Sequence, residues 1–163
     1  MRIIKLSKRL SVLVKWIDEN AFVADVGTDH GHIPAYLAQN RLAGRIIASD
    51  ISAASLEAAR RTATAAGVTN SISFHVTPGL DNMANAGLDH IIIAGMGGET
   101  IISILKNASW VSKSNIKLIL QPQSKVDLLF KFLYDNDYII KKTISVFDKK
   151  KQYIVALIYG ISC

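Results

Sequence analysis

The stretch FVADVGTDHGHIP, residues 22–34, runs from unbroken apolar residues into Asp25, Gly27, Asp29, His30 and His32. A short apolar run that ends in Gly and Asp and leads into a helix start near His32 and Pro34 reads as strand, tight turn and helix. In a doubly wound parallel sheet the first such turn lies beyond the carboxyl ends of the strands, near the point where strand order reverses, and ligands bind there. Gly27 allows a tight turn and close approach to a ligand, and the following helix start offers free amide hydrogens.

Outward from this stretch the same alternation repeats. AFVADV (21–26), RIIASD (45–50), SISFHV (71–76), DHIIIA (89–94) and IKLILQ (116–121) each read as a buried strand, rich in Ile and Val and bounded by Gly, Pro, Asn or Asp. Continuous apolarity, in place of strict alternation, predicts a parallel sheet covered on both faces. Between the runs, Ser52 is placed to cap a helix to about Ala66, closed by Gly67. Ser124 is placed to cap another with Val126, Leu129, Phe130 and Leu133 on one face. LSKRLSVLVKWIDE (6–19) predicts a leading amphipathic helix that buries Leu6, Leu10, Leu13, Val14 and Ile17. Two further strand-like runs, YIIKKTISVF and QYIVALIYGI, are joined only by DKKK, a connection that permits antiparallel neighbours alone. The expectation is an α/β fold: five parallel strands with crossover helices on both faces, then a hairpin that puts an antiparallel strand into the sheet.

At 163 residues, with 50% hydrophobic and 20% charged residues, the chain reads as one globular domain over 1–163. Its one cysteine, Cys163, excludes an intrachain disulfide and a cysteine-rich zinc site, so a reducing, cytoplasmic setting is the expectation. Lys8, Arg9 and Lys15 interrupt the N-terminal apolar run before signal-peptide length. No apolar run approaches the roughly 18 residues of a membrane span. A net charge of +6 favours a polyanionic partner such as RNA or DNA, although many basic proteins bind none.

The loop chemistry narrows the ligand. The dinucleotide fingerprint GxGxxG is absent, and an acidic side chain where a pyrophosphate would sit repels it. A cationic nucleoside is favoured instead: S-adenosylmethionine lacks phosphate and carries a sulfonium and an ammonium, which suit Asp25 and Asp29. Asp50 ends the next strand, about twenty residues on, where a carboxylate accepts hydrogen bonds from a ribose diol. The other reading of Asp50 is a turn residue before the next helix, and that of Asp25 is the polar end of a strand. Asp29, His30 and His32, with His75, also invite a metal reading. It is disfavoured because His32 starts a helix and no second acidic and histidine cluster completes a site.

Four segments, LSKRL (6–10), ADVGTDHGHIP (24–34), IIIAGMGG (91–98) and LILQPQ (118–123), together resemble the TrmK-type bacterial tRNA adenine-N1 methyltransferases, whose members methylate adenosine 22 of tRNA with S-adenosylmethionine. The resemblance implies a Rossmann-like class I methyltransferase with a seven-stranded, mostly parallel sheet ending in an antiparallel hairpin. It maps the cofactor loop onto Asp25, Gly27, Asp29 and His30, the ribose carboxylate onto Asp50 and the adenine packing onto Ile51, with Gly79 and Leu80 as further cofactor-binding residues. Ile93–Gly98 falls where such enzymes set the target base beside the methyl group, and Ala94 and Gly95 within it are also candidate cofactor-binding residues. Asp29 is the candidate proton acceptor, and Met96 with the Gly95–Gly98 backbone frames the base; the other reading of that segment is a plain strand-to-helix turn. Arg9 is open to three readings: the cofactor carboxylate, an RNA phosphate, or a solvated helix face. Basic groups at Arg2, Lys5, Lys8, Arg9 and at Lys141, Lys142, Lys149–Lys151 suit phosphates, or are simply solvated.

Two departures stand out. Where the family typically has GDGL, this chain has Thr77-Pro78-Gly79-Leu80, so an acid expected near the adenine amine is missing and Asp81 is the available substitute. Typical members also continue into a helical, coiled-coil-like domain, whereas this sequence stops at Cys163. The rival expectations are therefore a methyltransferase for another RNA or a small molecule, and a noncatalytic nucleic-acid or cofactor-binding module.

Overall fold

The five apolar runs become β1 (Phe22–Val26), β2 (Arg45–Asp50), β3 (Ser73–Val76), β4 (His90–Met96) and β5 (Lys117–Pro122), and the hairpin is β6 (Tyr138–Asp148) with β7 (Lys151–Gly160). The computed structural model describes residues 1–161; Cys163 lies outside them. The seven strands form one sheet in the order β3-β2-β1-β4-β5-β7-β6. The first five pair in parallel, and β7 runs antiparallel to both β5 and β6. The expected architecture is therefore present, with the reversal of strand order between β1 and β4.

Among the described residues five α-helices cover the sheet: α1 (Lys8–Val14), α2 (His32–Gln39), α3 (Ala53–Ala65), α4 (Gly98–Asn107) and α5 (Val126–Asp135). Because successive side chains of a strand point to opposite faces, Ile91 and Ile93 pack with Ile101, Leu105, Leu129 and Leu133 of α4 and α5. Ile92 and Ile119 pack with Leu13, Val14, Ile33, Leu37 and Ala63 of α1, α2 and α3 on the other side. Both faces are thus closed to water, which is why the central strands are apolar without alternation. None of the described helices is long and apolar enough to cross a membrane.

Three local expectations need correction. Ser124 does not cap α5: the cap position is Lys125, in the left-handed region at φ 54°, with no side-chain cap bond, and the Ser124 carbonyl instead accepts the Gly98 N–H at 2.7 Å. The segment 71–76 is not a buried strand throughout. Thr69–Ser71 is a 3-10 turn, and β3 is a sheet edge whose residues are mostly exposed. The leading helix ends at Val14, half the predicted span, although its inward face is as expected: Leu13 and Val14 are buried and Leu6, Leu10 and Ile17 pack beside them. The Ser52 cap forms as read, with its hydroxyl accepting from the Ser55 N–H at 3.2 Å.

Candidate active site

The reversal between β1 and β4 opens a crevice with two lobes that share Gly27 and Met96. One lobe, about 360 Å³, is lined by Arg9, Asp25, Thr28, Asp29, His30, His32, Ala94, Gly95 and Gln123 among others. The second, about 260 Å³ and more apolar, is lined by Asp50, Ile51, Pro78, Gly79, Leu80 and Asp81 together with Thr100, Ser103, Ile104 and Asn107 of α4. The residues mapped to the cofactor and the target base, Arg9, Asp25, Gly27, Asp29, His30, Asp50, Ile51, Gly79, Leu80, Ala94, Gly95 and Met96, lie on one lobe or the other, whereas His75 and the other basic groups lie on neither.

The loop after β1 is shaped by β2. The Ser49 carbonyl accepts both the Gly27 and the Thr28 N–H at 2.9 Å, a turn that holds Gly27 at φ 72°. The positive φ at Gly27 favours glycine; a Cβ there would meet only the terminal methyl of Met96, which a rotamer change can move aside. Asp29 follows at φ 53°, and its N–H donates to Asp50 Oδ2 at 3.1 Å. Asp50 Oδ1 accepts the Ser52 N–H at 2.9 Å. Asp50 is therefore both a turn residue and a half-buried carboxylate at the crevice; each oxygen keeps a second lone pair for a ligand hydroxyl. Ile51 beside it is 74% exposed and lines the second lobe.

Asp25 is the buried charge of the site. Only 3% exposed, its Oδ2 accepts the Thr28 hydroxyl at 2.8 Å. Burial pushes its carboxyl up to about 7; the Thr28 bond pulls against that and the nearby Asp50 adds to it. The negative charge read from the sequence is thus only partly developed at neutral pH. Asp29 and His30, by contrast, are largely exposed, with Oδ2 and Nε2 3.8 Å apart. His32 begins α2, and burial, with His30 and Arg2 nearby, pushes its imidazole down.

Across the crevice, the register of β4 against β5 slips between Ala94 and Met96. Gly95 takes up the slip at φ 78° and is exposed, leaving a flat opening whose nearest neighbour is Arg9: Nη1 lies 3.6 Å from where a Cβ would stand. Arg9 thus faces the crevice and not bulk solvent. Asp81 lines the same lobe as Pro78, from a different backbone position. His75 sits on β3, beyond β2, apart from His30 and His32, and no three His, Cys, Asp or Glu of the described residues gather as a metal would need.

Some lining residues carried no sequence signal. Thr28 reads as loop filler, and the polar residues of α4 read as its solvent face. Gln123 reads as the end of a strand; only its membership in LILQPQ could have drawn attention to it.

The donor set fits a cationic nucleoside: carboxylates at Asp25, Asp29 and Asp50, apolar surface at Ile51 and Leu80, and no phosphate cradle. Known proteins agree with this fold. A family profile described as a methyltransferase domain matches residues 6–156. The chain is similar to a tRNA (adenine(22)-N(1))-methyltransferase of Bacillus subtilis (strain 168), 32% identical over 155 residues, which are 95% of this chain and 65% of that protein. It therefore spans just under two thirds of that relative's length. The crystal structure of the B. subtilis m1A22 tRNA methyltransferase TrmK superposes with a TM-score of 0.89 at 30% identity, covering 98% of this chain and 68% of that one. M. capricolum TrmK, in complex with the cofactor product S-adenosyl-homocysteine, matches with a TM-score of 0.85 at 29% identity, over 96% of this chain and 70% of that one.

Proposed function

Because the chain belongs to the methyltransferase-domain family and, within it, to the TrmK type, we propose that it is an S-adenosylmethionine-dependent methyltransferase acting on N1 of an adenine in tRNA, adenosine 22 by kinship. The observation that carries the reading is the two-lobed crevice straddling Gly27, acidic around the β1 loop and apolar beyond Asp50. Its shape and charge suit a nucleoside with a cationic tail better than a dinucleotide or a metal.

In this reading Asp50 holds the ribose hydroxyls, and Ile51, Gly79 and Leu80 enclose the cofactor's adenine, with Asp81 taking its exocyclic amine. Asp25 pairs with the ammonium, which lowers the carboxyl's proton affinity and draws out its charge. Arg9 meets the carboxylate of the same amino-acid end. Gly27 and Met96 separate the two ends of the ligand. Bound there, S-adenosylmethionine supplies a methyl group activated by its sulfonium. Adenine N1 already has a free lone pair, so the protein's task is alignment more than activation. The exposed backbone at Gly95, with Ala94 and Met96, provides a flat seat for the target base. Asp29 Oδ2 accepts the proton that the methylated, cationic base sheds from N6 and passes it to water, which reaches this largely exposed carboxylate freely. Exposing the adenine from its stack costs a few kcal/mol, offset by lysine and arginine contacts to tRNA phosphates. Such a substrate places the work in the cytoplasm.

Transfer of labelled methyl from S-adenosylmethionine to tRNA, followed by mapping of 1-methyladenosine, tests the proposal. Label on position 22 is the expected result. Label confined to small molecules or to another RNA would refute the tRNA reading, and no cofactor binding by a folded protein would refute the enzyme reading.

A further inference from the structure

Gln121 is a polar residue in an apolar place. It follows Leu118, Ile119 and Leu120 in β5 and is fully buried, yet its amide is fully engaged. Nε2 donates to the Pro122 carbonyl at 2.9 Å and to Gln123 Oε1 at 3.0 Å, and Oε1 accepts from Arg9 Nη1 at 2.5 Å. Burying an amide costs free energy that its hydrogen bonds do little more than offset, so an apolar side chain would pack β5 as well. What the amide adds is direction: with both hydrogens committed to carbonyl oxygens, Oε1 points at Arg9 and nowhere else.

Arg9 is held from other sides too. Its backbone N–H donates to Asp148 Oδ2 at 3.0 Å, and its guanidinium lies 5.5 Å from the centre of the Tyr153 ring, so the β6–β7 hairpin supports it. Among the described residues no carboxylate pairs with that guanidinium. The guanidinium is therefore fixed at the crevice beside Gly95 by two neutral groups, Gln121 and Tyr153, and the Asp148 carboxylate bonds only to the backbone N–H of Arg9.

We propose that Gln121 is a positioning residue: without lining the crevice, it locks the Arg9 guanidinium where the carboxylate of an amino-acid-bearing nucleoside meets it. This rests on the cofactor reading given above. A preset guanidinium loses little side-chain freedom when the ligand arrives, so the gain is in affinity for that end of the ligand alone.

The test is calorimetric titration with S-adenosylhomocysteine and with 5′-methylthioadenosine, which lacks the amino-acid end. The proteins are the unmodified chain, Gln121→Met, Arg9→Ala and the double variant. Gln121→Met is expected to weaken S-adenosylhomocysteine about tenfold while 5′-methylthioadenosine stays within about twofold. In the Arg9→Ala background the Gln121 substitution adds nothing, because it acts through Arg9. Equal loss of both ligands, an unchanged S-adenosylhomocysteine affinity, or additive effects in the double variant would each overturn the proposal. If the unmodified chain binds neither ligand, the cofactor reading itself falls, and this inference with it. Should Gln121→Met not fold, Tyr153→Leu, on the other side of the guanidinium, must show the same selective loss or the proposal fails.

Discussion

Asp25 places a titratable carboxyl in a site whose proposed ligand is cationic, and its protonation has a sign that can be measured. Its folded value, about 7, is raised above the ordinary 3.8. The folded state therefore holds this proton more tightly than the unfolded one, and the group's contribution to stability is present below pH 3.8 and lost as pH rises to about 7. Asp25→Asn removes the dependence. In thermal melts of the free protein, the unmodified chain should lose stability relative to Asp25→Asn between pH 5 and pH 8. Binding of S-adenosylhomocysteine should release a proton near neutral pH, seen as buffer-dependent binding heat, and the release should vanish in Asp25→Asn. Nothing in the sequence discloses this behaviour. Asp25 and Asp29 are alike in the string FVADVGTDHGHIP, and only packing makes one buried and the other exposed. The same holds for Gln121, whose partner Arg9 lies 112 residues away in the chain.

Helix ends and the hairpin turn show where local sequence is and is not a guide. The Ser52 cap makes its expected bond, so Ser52→Ala should cost about 1 kcal/mol. Ser124→Ala should cost almost nothing, while Lys125→Gly should stabilise by about 1 kcal/mol by relieving a lysine at positive φ; paired thermal or urea unfolding checks all three. A serine before an amphipathic run is a reasonable cap signal, but the Ser124 carbonyl is engaged by Gly98 of α4, a contact that no local pattern records. The β6–β7 turn has Lys149 and Lys150 at φ 49° and 64°, the left-handed pair of a two-residue hairpin that Asn-Gly fills with least strain. Lys149→Asn with Lys150→Gly should raise stability by about 1 kcal/mol. If these lysines touch tRNA phosphates, the same change should weaken tRNA binding and lower its salt slope by about two. A gain in stability with a loss in tRNA affinity would mark residues kept for binding; an unchanged salt slope would assign them to solvent.

Across the whole molecule, the parallel sheet and its strand-order reversal are legible because buried strands leave continuous apolar runs, and the missing helix after β6 betrays the hairpin. Edge and centre are harder to tell apart: SISFHV has the composition of a core strand, and only its place at the sheet margin exposes it. At the end of the sheet opposite the crevice, Asp18 joins the loop before β1 to two other strands, accepting from His90 Nε2 at 2.9 Å and from Lys117 Nζ at 2.8 Å. The Lys117 bond, opposed by partial burial and assisted by His90, holds the Asp18 carboxyl below its ordinary 3.8. Its contribution is thus present above that value and lost as pH falls through the lowered one. Asp18→Asn should destabilise the chain at pH 7 and lose that effect as the pH falls from 3.8 through the lowered value of the carboxyl, in acid titrations followed by circular dichroism. The order β5-β7-β6 has a consequence for synthesis. A ribosome releases β6 before β7, so β6 has no seat in the sheet until residues 151–160 emerge and slide in beside β5. Until then the nascent chain carries an open, sticky strand, a natural client for chaperones. A stop codon within that stretch would yield not a slightly shorter protein but a sheet of five strands that cannot be closed.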